Sequence, residues 1–592
     1  MAASNVKAPG SSLHLIYRVL SLWLALLAWM ATGYAQETAA TRAQPNFLVI
    51  LADDMGWSDL GVLGGEIRTP TIDALARRGT LMTDFYVAPT CAPTRSMLVT
   101  GVDNHQAGLG VQSGLRAENQ VGINYEGQLH NGVVTVAEGL ATRGYQTLMA
   151  GKWHLANDLV QAPHNRGFQQ SFALLAGGAS HFGDQTRLAA FEPVHYIENG
   201  QPVTTLPADW YSSIGYADKI LEYLAGRDKD APFFAYLAFT APHDPLQVPD
   251  EWLDRYRGHY DQGPVATRRA RAERQAALGL IPGEAGIWQY PRFPGWFPNH
   301  AKPWQGRSAD QRAKDARPME VYAAMVELMD QQIGRVLAYL DEQGELDNTY
   351  VIFFSDNGAS SVGPMVYPGN TKRWMAENWG ETYTSAGGPQ SFTVLGREWA
   401  STANTPWKLY KNTVSEGGIR SPLVVAGPGV VAGEFNDALA HVTDITPTIF
   451  DLAGIEPATD PLFANKVQPQ GVTLMPALRA KNSTARASFG VHLFGNRGYR
   501  RGHWKISNTG PPLGTGQWQL FDLSADPGES NDLAAQQPET LQSMLAAFDA
   551  YVEANGVILP DKSPLKASLR ALYPGECNWW CETRFKIIGW LN

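Results

Sequence analysis

Residues 46–57 read NFLVILADDMGW. From Phe47 to Ala52 the run is apolar without a break. A strand of this kind is buried on both faces, as in a parallel sheet, where a half-solvated strand would alternate. It stops on two acids, Asp53 and Asp54. Other runs have the same build. TLMAG (147–151) is followed by Lys152 and His154, FFAYLAFTAP (233–242) by His243, and YVIFFS (350–355) by Asp356 and Asn357. SPLVVAGPG (421–429) reads as a last core strand. Helical patterns separate these runs: TPTIDALARRG (69–79), capped by Thr69 with Pro70 in the first turn and stopped at Gly79, then TVAEGLATRG (135–144). SIGYADKILEYLAG (213–226), a long amphipathic helix over about 317–344 and DITPTIFDLAG (444–454) follow. Alternating strands and helices predict an α/β fold with a large, mostly parallel sheet flanked by helices.

In such sheets ligands bind beyond the carboxyl ends of the strands. If the strands run parallel, Asp53, Asp54, Lys152, His154, His243, Asp356 and Asn357 gather on one edge. Asp53, Asp54, Asp356 and Asn357 offer oxygen ligands alone, which suits a hard divalent cation, Ca²⁺ before Mg²⁺, and suits zinc less well. Lys152, His154, His243 and Arg95 add positive charge and proton-transfer capacity, which fits a tetrahedral oxyanion substrate.

The chain has 592 residues, 44% hydrophobic and 18% charged, the composition of a folded protein. A formal net charge of −10 argues against nucleic acid as a partner. An apolar run of 13 residues, VLSLWLALLAWMA (19–31), precedes small residues Gly33 and Ala35. It is short for a membrane span and right for a signal-peptide core, so residues 1–35 are expected to be removed on export to the periplasm or medium, with no stable membrane anchor; the alternative is an anchor kept by the mature protein. Residues 43–455 are expected to form the main domain, with long inserts at about 255–316 and 359–405. Residues 456–560 read as a smaller C-terminal α+β domain with short antiparallel strands, and 561–592 as a tail.

There are three cysteines. Cys577 and Cys581 bracket CNWWC, a spacing that suits a small-loop disulfide. Cys91 is left over, in the pentad CAPTR (91–95), and an odd cysteine in an exported chain marks a special thiol. Rival chemistries fail on spacing. The glycines of GYQTLMAGKW are too far apart for a phosphate-binding loop and Trp153 follows its lysine. Position 97 is Met97, where a cysteine phosphatase would have arginine. G-x-S-x-G and H-E-x-x-H are absent.

CAPTR resembles the C-x-P-x-R maturation signature of type I sulfatases, of which the bacterial arylsulfatases are nearest in character. NFLVILADDMGWSDLG, GYQTLMAGKWHL, FFSDNG, SEGGIRSPLVV and the C-terminal GHWKI and QLFDLSADPGESNDLA are similar to that family's motifs in the same order, over about residues 45–555. The resemblance implies an alkaline phosphatase-like fold and hydrolysis of organic sulfate esters. It implies that a maturation enzyme oxidises Cys91 to formylglycine, whose hydrated aldehyde is the nucleophile. Asp53, Asp54, Asp356, Asn357 and the formylglycine would hold Ca²⁺. Arg95 would orient the formylglycine, Asp356 would help deprotonate it, and His154 would hydrogen-bond its diol. Lys152 and Lys411 would grip the sulfate, with Lys408 the competitor for Lys411. His243 would contact the ester and protonate the leaving oxygen. Two other readings stay open: a phosphonate monoester or phosphodiester hydrolase of the same superfamily, and a silent binder of sulfated glycans. His181 and the Trp-rich stretches 286–298 and 373–383 are candidates for shaping the alcohol pocket. Asn482 begins a glycosylation sequon.

Overall fold

Strand β1 (Asn46–Ala52) is buried at every residue. Its side chains alternate between two cores. Leu48, Ile50 and Ala52 face one, with Leu75, Ile220, Met325 and Met329. Phe47, Val49 and Leu51 face the other, with Met97, Val99, Ile449 and Phe450. Covering both faces is what makes the run continuously apolar, and each fully buried Leu, Ile, Val or Phe contributes about 1.5–3 kcal/mol.

This is a computed structural model. It describes residues 44–112, 115–281, 303–367, 369–380, 385–480, 483, 486–510 and 513–561. Residues 1–35, the Cys577–Cys581 pair, Asn482, the stretch 286–298 and the tail beyond 561 lie outside the described residues.

The further strands of the large sheet are β2 (Thr80–Tyr86), β3 (Gln146–Lys152), β4 (Gln170–Leu174), β5 (Tyr196–Glu198), β6 (Gln201–Val203), β7 (Phe233–Ala238), β8 (Thr349–Ser355), β9 (Arg420–Ala426), β10 (Glu434–Asn436) and β11 (Ala440–His441). Their order is β10-β2-β9-β8-β1-β7-β3-β4-β5-β6, with β11 also on β2. Strands β8, β1, β7, β3 and β4 run parallel. Strand β9 runs antiparallel to both its neighbours, and β5 and β6 close the far edge as antiparallel additions. The sheet is therefore mixed but mostly parallel, with helices on both faces.

Helices Pro70–Arg78, Ser212–Gly226 and Ala309–Glu342 cover one face; Cys91–Thr100, Val136–Ala141 and Ile445–Ala453 cover the other. The long helix begins at Ala309, a full two turns before the sequence-based start near 317. Ser308 caps it, its Oγ accepting from the Gln311 N–H at 3.2 Å, and Pro318 lies inside it. Pro318 marks a break in the sequence pattern that the fold overrides.

A second sheet, β12 (Ser488–Leu493), β13 (Asn496–Arg501), β14 (Trp504–Asn508) and β15 (Gln519–Asp522), is antiparallel throughout. Helix Pro538–Asn555 packs on it through Met544 and Phe548.

Candidate active site

Neighbouring parallel strands β8, β1, β7 and β3 end in register. Ala52 is paired with Ser355, Leu51 with Ala238, and Ala238 with Gly151. The residues that follow each strand therefore meet on one edge. Asp53 is tied to the loop after β7, its N–H donating to Ala241 O at 3.0 Å, and the Asp356 N–H donates to Ala52 O at 3.1 Å. Asp54 and His154 both have positive φ, 65° and 56°, which turns their side chains out of the strand direction. Such strain in non-glycine residues persists where the surroundings fix it, typically at functional sites.

Cys91 arrives from the side. It is the first residue of helix Cys91–Thr100, all ten residues of which are buried, and the helix ends on Gly101 at φ 69°. Spacing of four puts Arg95 one turn on, on the same face as Cys91. The helix N-terminus contributes positive potential where Cys91 stands.

The contacts form one buried network. Arg95 grips Asp356 Oδ2 through Nε at 3.0 Å and Nη2 at 2.8 Å, and donates through Nη1 to Lys152 O at 3.0 Å. Lys152 Nζ lies 2.6 Å from Asp53 Oδ2. Asp54 Oδ1 accepts from Lys411 Nζ and Asn357 Nδ2, each at 2.6 Å, and the Asp54 N–H donates to Asp356 Oδ1 at 3.1 Å. Lys411 Nζ is 3.1 Å from Cys91 Sγ, and that thiol points at Asp54 Oδ1, 3.9 Å away. His243 Nε2 is 3.5 Å from Asp54 Oδ2. Its Nδ1 lies 2.6 Å from Asp244 O, which makes Nδ1 the protonated nitrogen and leaves Nε2 toward the cluster.

Burial and charge act against each other here. Burial alone would raise the Asp53 carboxyl, but Lys152, His243, Arg95 and Lys411 hold it well below the usual carboxylate range. Asp356 goes the other way: burial and the Asp53 charge push it up, against Arg95 and Lys152. Burial pushes the Cys91 thiol up despite Lys152 and Lys411. Burial, then Lys152 and Arg95, hold His154 well below the ordinary imidazole value, so it is neutral.

A cation fits this edge. The buried oxygens Asp53 Oδ1, Asp54 Oδ2 and Asn357 Oδ1 have no hydrogen-bond partner. Potential ligand atoms of Asp53, Asp54, Cys91 and His243 lie within 4.8 Å of one another. The sequence had placed Asp356 and Asn357 in the ligand set and His243 outside it. In the structure His243 also stands among the potential ligand atoms, and Asp356 is engaged by Arg95 and by the Asp54 N–H.

The rival lysines part company. Lys411 is in the network, whereas Lys408 turns away, its Nζ donating to Glu529 O at 3.1 Å and lying 5.2 Å from the Phe521 ring. His181 does not line the cleft. Its ring lies behind His243, Nε2 donating to His243 O at 3.0 Å and Nδ1 accepting from Ser212 Oγ at 2.7 Å. Thr240 Oγ1 donates in turn to Ser212 Oγ at 3.1 Å. Burial lowers His181 to about 4, so it is neutral at pH 7. With both nitrogens spent, His181 props the His243 loop and has no group free for an alcohol.

A cleft of about 1170 Å³ opens over the cluster; Cys91, His154, His243 and Lys411 lie on it. Phe191, Tyr367 and Val366 form part of its wall, and Asn496, Asn508 and Thr509 bring in the second sheet. Nothing in the sequence pointed to these last three, because the ends of short antiparallel strands carry no periodic pattern. Of the Trp-rich stretches, Trp374 and Trp379 are described, and Trp379 is buried against Phe392, so it builds the insert.

The sequence model of the family described as Sulfatase matches residues 45–455. An arylsulfatase of Klebsiella aerogenes is 39% identical over 458 residues, 76% of this chain and 95% of that one. An uncharacterised sulfatase of Schizosaccharomyces pombe is 39% identical over 535 residues, 88% of this chain and 95% of that one. Among solved structures, Ps i-CgsB in complex with k-i-k-neocarrahexaose superposes with a TM-score of 0.61 at 23% identity, covering 90% of this chain and 98% of that one. The PsFucS1 sulfatase from Pseudoalteromonas sp. does so at 0.57 and 22%, covering 89% and 93%. At those identities the structural likeness speaks for the fold.

Proposed function

The chain belongs to the sulfatase family and is a sulfate-ester hydrolase; from that premise we propose that it works at the buried network around Cys91, with Cys91 present as formylglycine and a divalent cation alongside, splitting organic sulfate esters into alcohol or phenol and inorganic sulfate. The observation that carries this reading is the setting of Cys91. A free, buried thiol at a helix N-terminus lies 3.1 Å from Lys411 Nζ and 3.9 Å from Asp54 Oδ1, in one group with Asp53 and His243. As a thiol it would be a poor catalyst there: burial keeps it protonated, and a sulfated cysteine has no easy exit. Formylglycine supplies a hydratable aldehyde, hence a hydroxyl nucleophile and a second hydroxyl through which sulfate can leave.

Asp53, Asp54 and Asn357 would hold the cation with Asp356 and residue 91, Ca²⁺ before Mg²⁺. When bound, it neutralises charge on the ester and on the nucleophile. The protein's own groups divide the remaining work. Lys152 and Lys411 supply positive charge to the sulfuryl oxygens. Neutral His154, with Nδ1 unpartnered, accepts a proton from the hydroxyl at residue 91. His243, whose Nε2 stands 3.5 Å from Asp54 Oδ2 at the edge of the cluster, would serve as the general acid toward the leaving oxygen. Arg95 acts through Asp356, whose carboxylate it fixes with two hydrogen bonds. His181 holds the backbone of His243 in place.

Cleavage after Ala35, export, and oxidation by a maturation enzyme that reads Cys91, Pro93 and Arg95 complete the proposal. Among the described residues no helix is long and apolar enough to cross a membrane. In this reading residues 43–455 carry the chemistry and 456–560 complete the far wall of the cleft. Replacing Cys91 by alanine tests it. The variant should fold with an unchanged melting temperature and lose turnover of nitrophenyl sulfate altogether; retained turnover refutes the assignment of residue 91.

A further inference from the structure

Thr90 is out of place for a structural threonine. It is fully buried, yet its Oγ1 has no hydrogen-bond partner. It occupies the N-cap of helix Cys91–Thr100, where threonine normally accepts from a first-turn N–H, and its side chain makes no such bond. The backbone closes the turn instead, the Thr94 N–H donating to Thr90 O at 3.4 Å. Thr94, one turn on, shows the ordinary use of the same side chain: its Oγ1 accepts from the Ala88 N–H at 2.9 Å and bonds Ala88 O at 3.3 Å. A buried unpaired hydroxyl is costly, and the isosteric valine would avoid that cost.

Where Thr90 stands suggests why the hydroxyl is kept. It lines the same cleft as Cys91, His154, His243 and Lys411. Its backbone is fixed, since the Asn412 N–H donates to Pro89 O at 2.7 Å and so fastens residues 89–91 to the segment that carries Lys411. The charged donors nearby are already engaged: Lys152 with Asp53, Arg95 with Asp356, Lys411 with Asp54. Thr90, next in the chain to residue 91, brings an uncharged donor without a hydrogen-bond partner to this cleft.

We propose that Thr90 is a further catalytic residue: its hydroxyl, unpaired at the N-cap next to Cys91, donates a hydrogen bond to a non-bridging sulfuryl oxygen of the ester and strengthens that bond as charge builds in the transition state. The proton stays on Thr90 throughout. This role rests on the formylglycine reading above.

The test compares the whole protein with T90V and T90S, using nitrophenyl sulfate. Formylglycine content is read by mass from the tryptic peptide Gly79–Arg95, so that rates are expressed per formylglycine. T90V is expected to lower kcat about 10- to 100-fold, the effect of one lost transition-state hydrogen bond, with little change in KM. Its melting temperature should equal or exceed the parent's, because an unpaired buried hydroxyl has been removed. T90S should return kcat to within a few-fold of the parent. Parental kcat in T90V overturns the proposal, as does a loss that comes with a lowered melting temperature and that T90S does not repair. A parent protein with neither formylglycine nor turnover overturns the underlying reading instead.

Discussion

Lys411 and Lys408 stand three residues apart in sequence and do unrelated things. Lys411 reaches Asp54 and Cys91, and Lys408 reaches the carbonyl of Glu529. Lys411→Ala should therefore lower kcat/KM by about 100-fold or more, the scale of removing one charged transition-state donor. Lys408→Ala should leave the rate of folded enzyme unchanged and lower stability by about 1–3 kcal/mol for a lost charge-assisted hydrogen bond. Steady-state kinetics with urea unfolding on both variants separates the two outcomes. The acids and histidines after the strands could be read from sequence because they recur after several strong strands; a single acidic pair at a strand end is an ordinary turn or cap. The choice between two lysines in an irregular loop could not, since no periodicity fixes where a loop side chain points. The same holds for His181: its sequence setting resembles a pocket residue, but its orientation depends on Ser212 and Thr240, far away in the chain.

Strand β3 shows how an element aims a residue. Gly151 takes φ 122°, and a Cβ there would lie 1.8 Å from Ala238 O on β7. The close approach of β3 to β7 at that point delivers Lys152 to Asp53. Gly151→Ala should force the strands apart, lower stability by at least about 1–3 kcal/mol and reduce activity further than the stability loss explains; thermal melting with kinetics below the transition checks both. The long strands were legible as unbroken apolar runs and the amphipathic helices by their period. Strand β2 was not, since Thr80, Thr83 and Asp84 interrupt it, although it directs the chain toward Cys91. Strands β4, β5 and β6 are short, and their burial depends on the sheet they join.

Across the molecule, the two sheets are joined by a buried ionic cluster. Glu416 receives Lys505 Nζ at 2.7 Å and Tyr86 OH at 2.6 Å, while Arg420 and Arg500 bridge it and Asp84. Burial would raise Glu416, but Lys505, Arg500 and Arg420 bring it from 4.5 down to about 2. A carboxyl depressed in the folded state adds stability that is full above its unfolded value and is lost as pH falls through the folded one. Urea stability should therefore decline between about pH 4.5 and 2, and Glu416→Gln should flatten that decline while costing about 3–5 kcal/mol at neutral pH by leaving buried cations unpaired. Cation removal acts at the cluster of acids beyond the strand ends. Chelation should lower the melting temperature as well as activity, and Ca²⁺ at about 100 times its Kd should restore about 2.7 kcal/mol. The central claim concerns residue 91 itself, and the mass of the tryptic peptide Gly79–Arg95 from active enzyme, purified from the organism that makes it, tests this most directly. The account predicts a peptide lighter than the encoded one by the difference between CH₂SH and CHO, and trapped by an aldehyde reagent. Active enzyme carrying only the unmodified cysteine would contradict it.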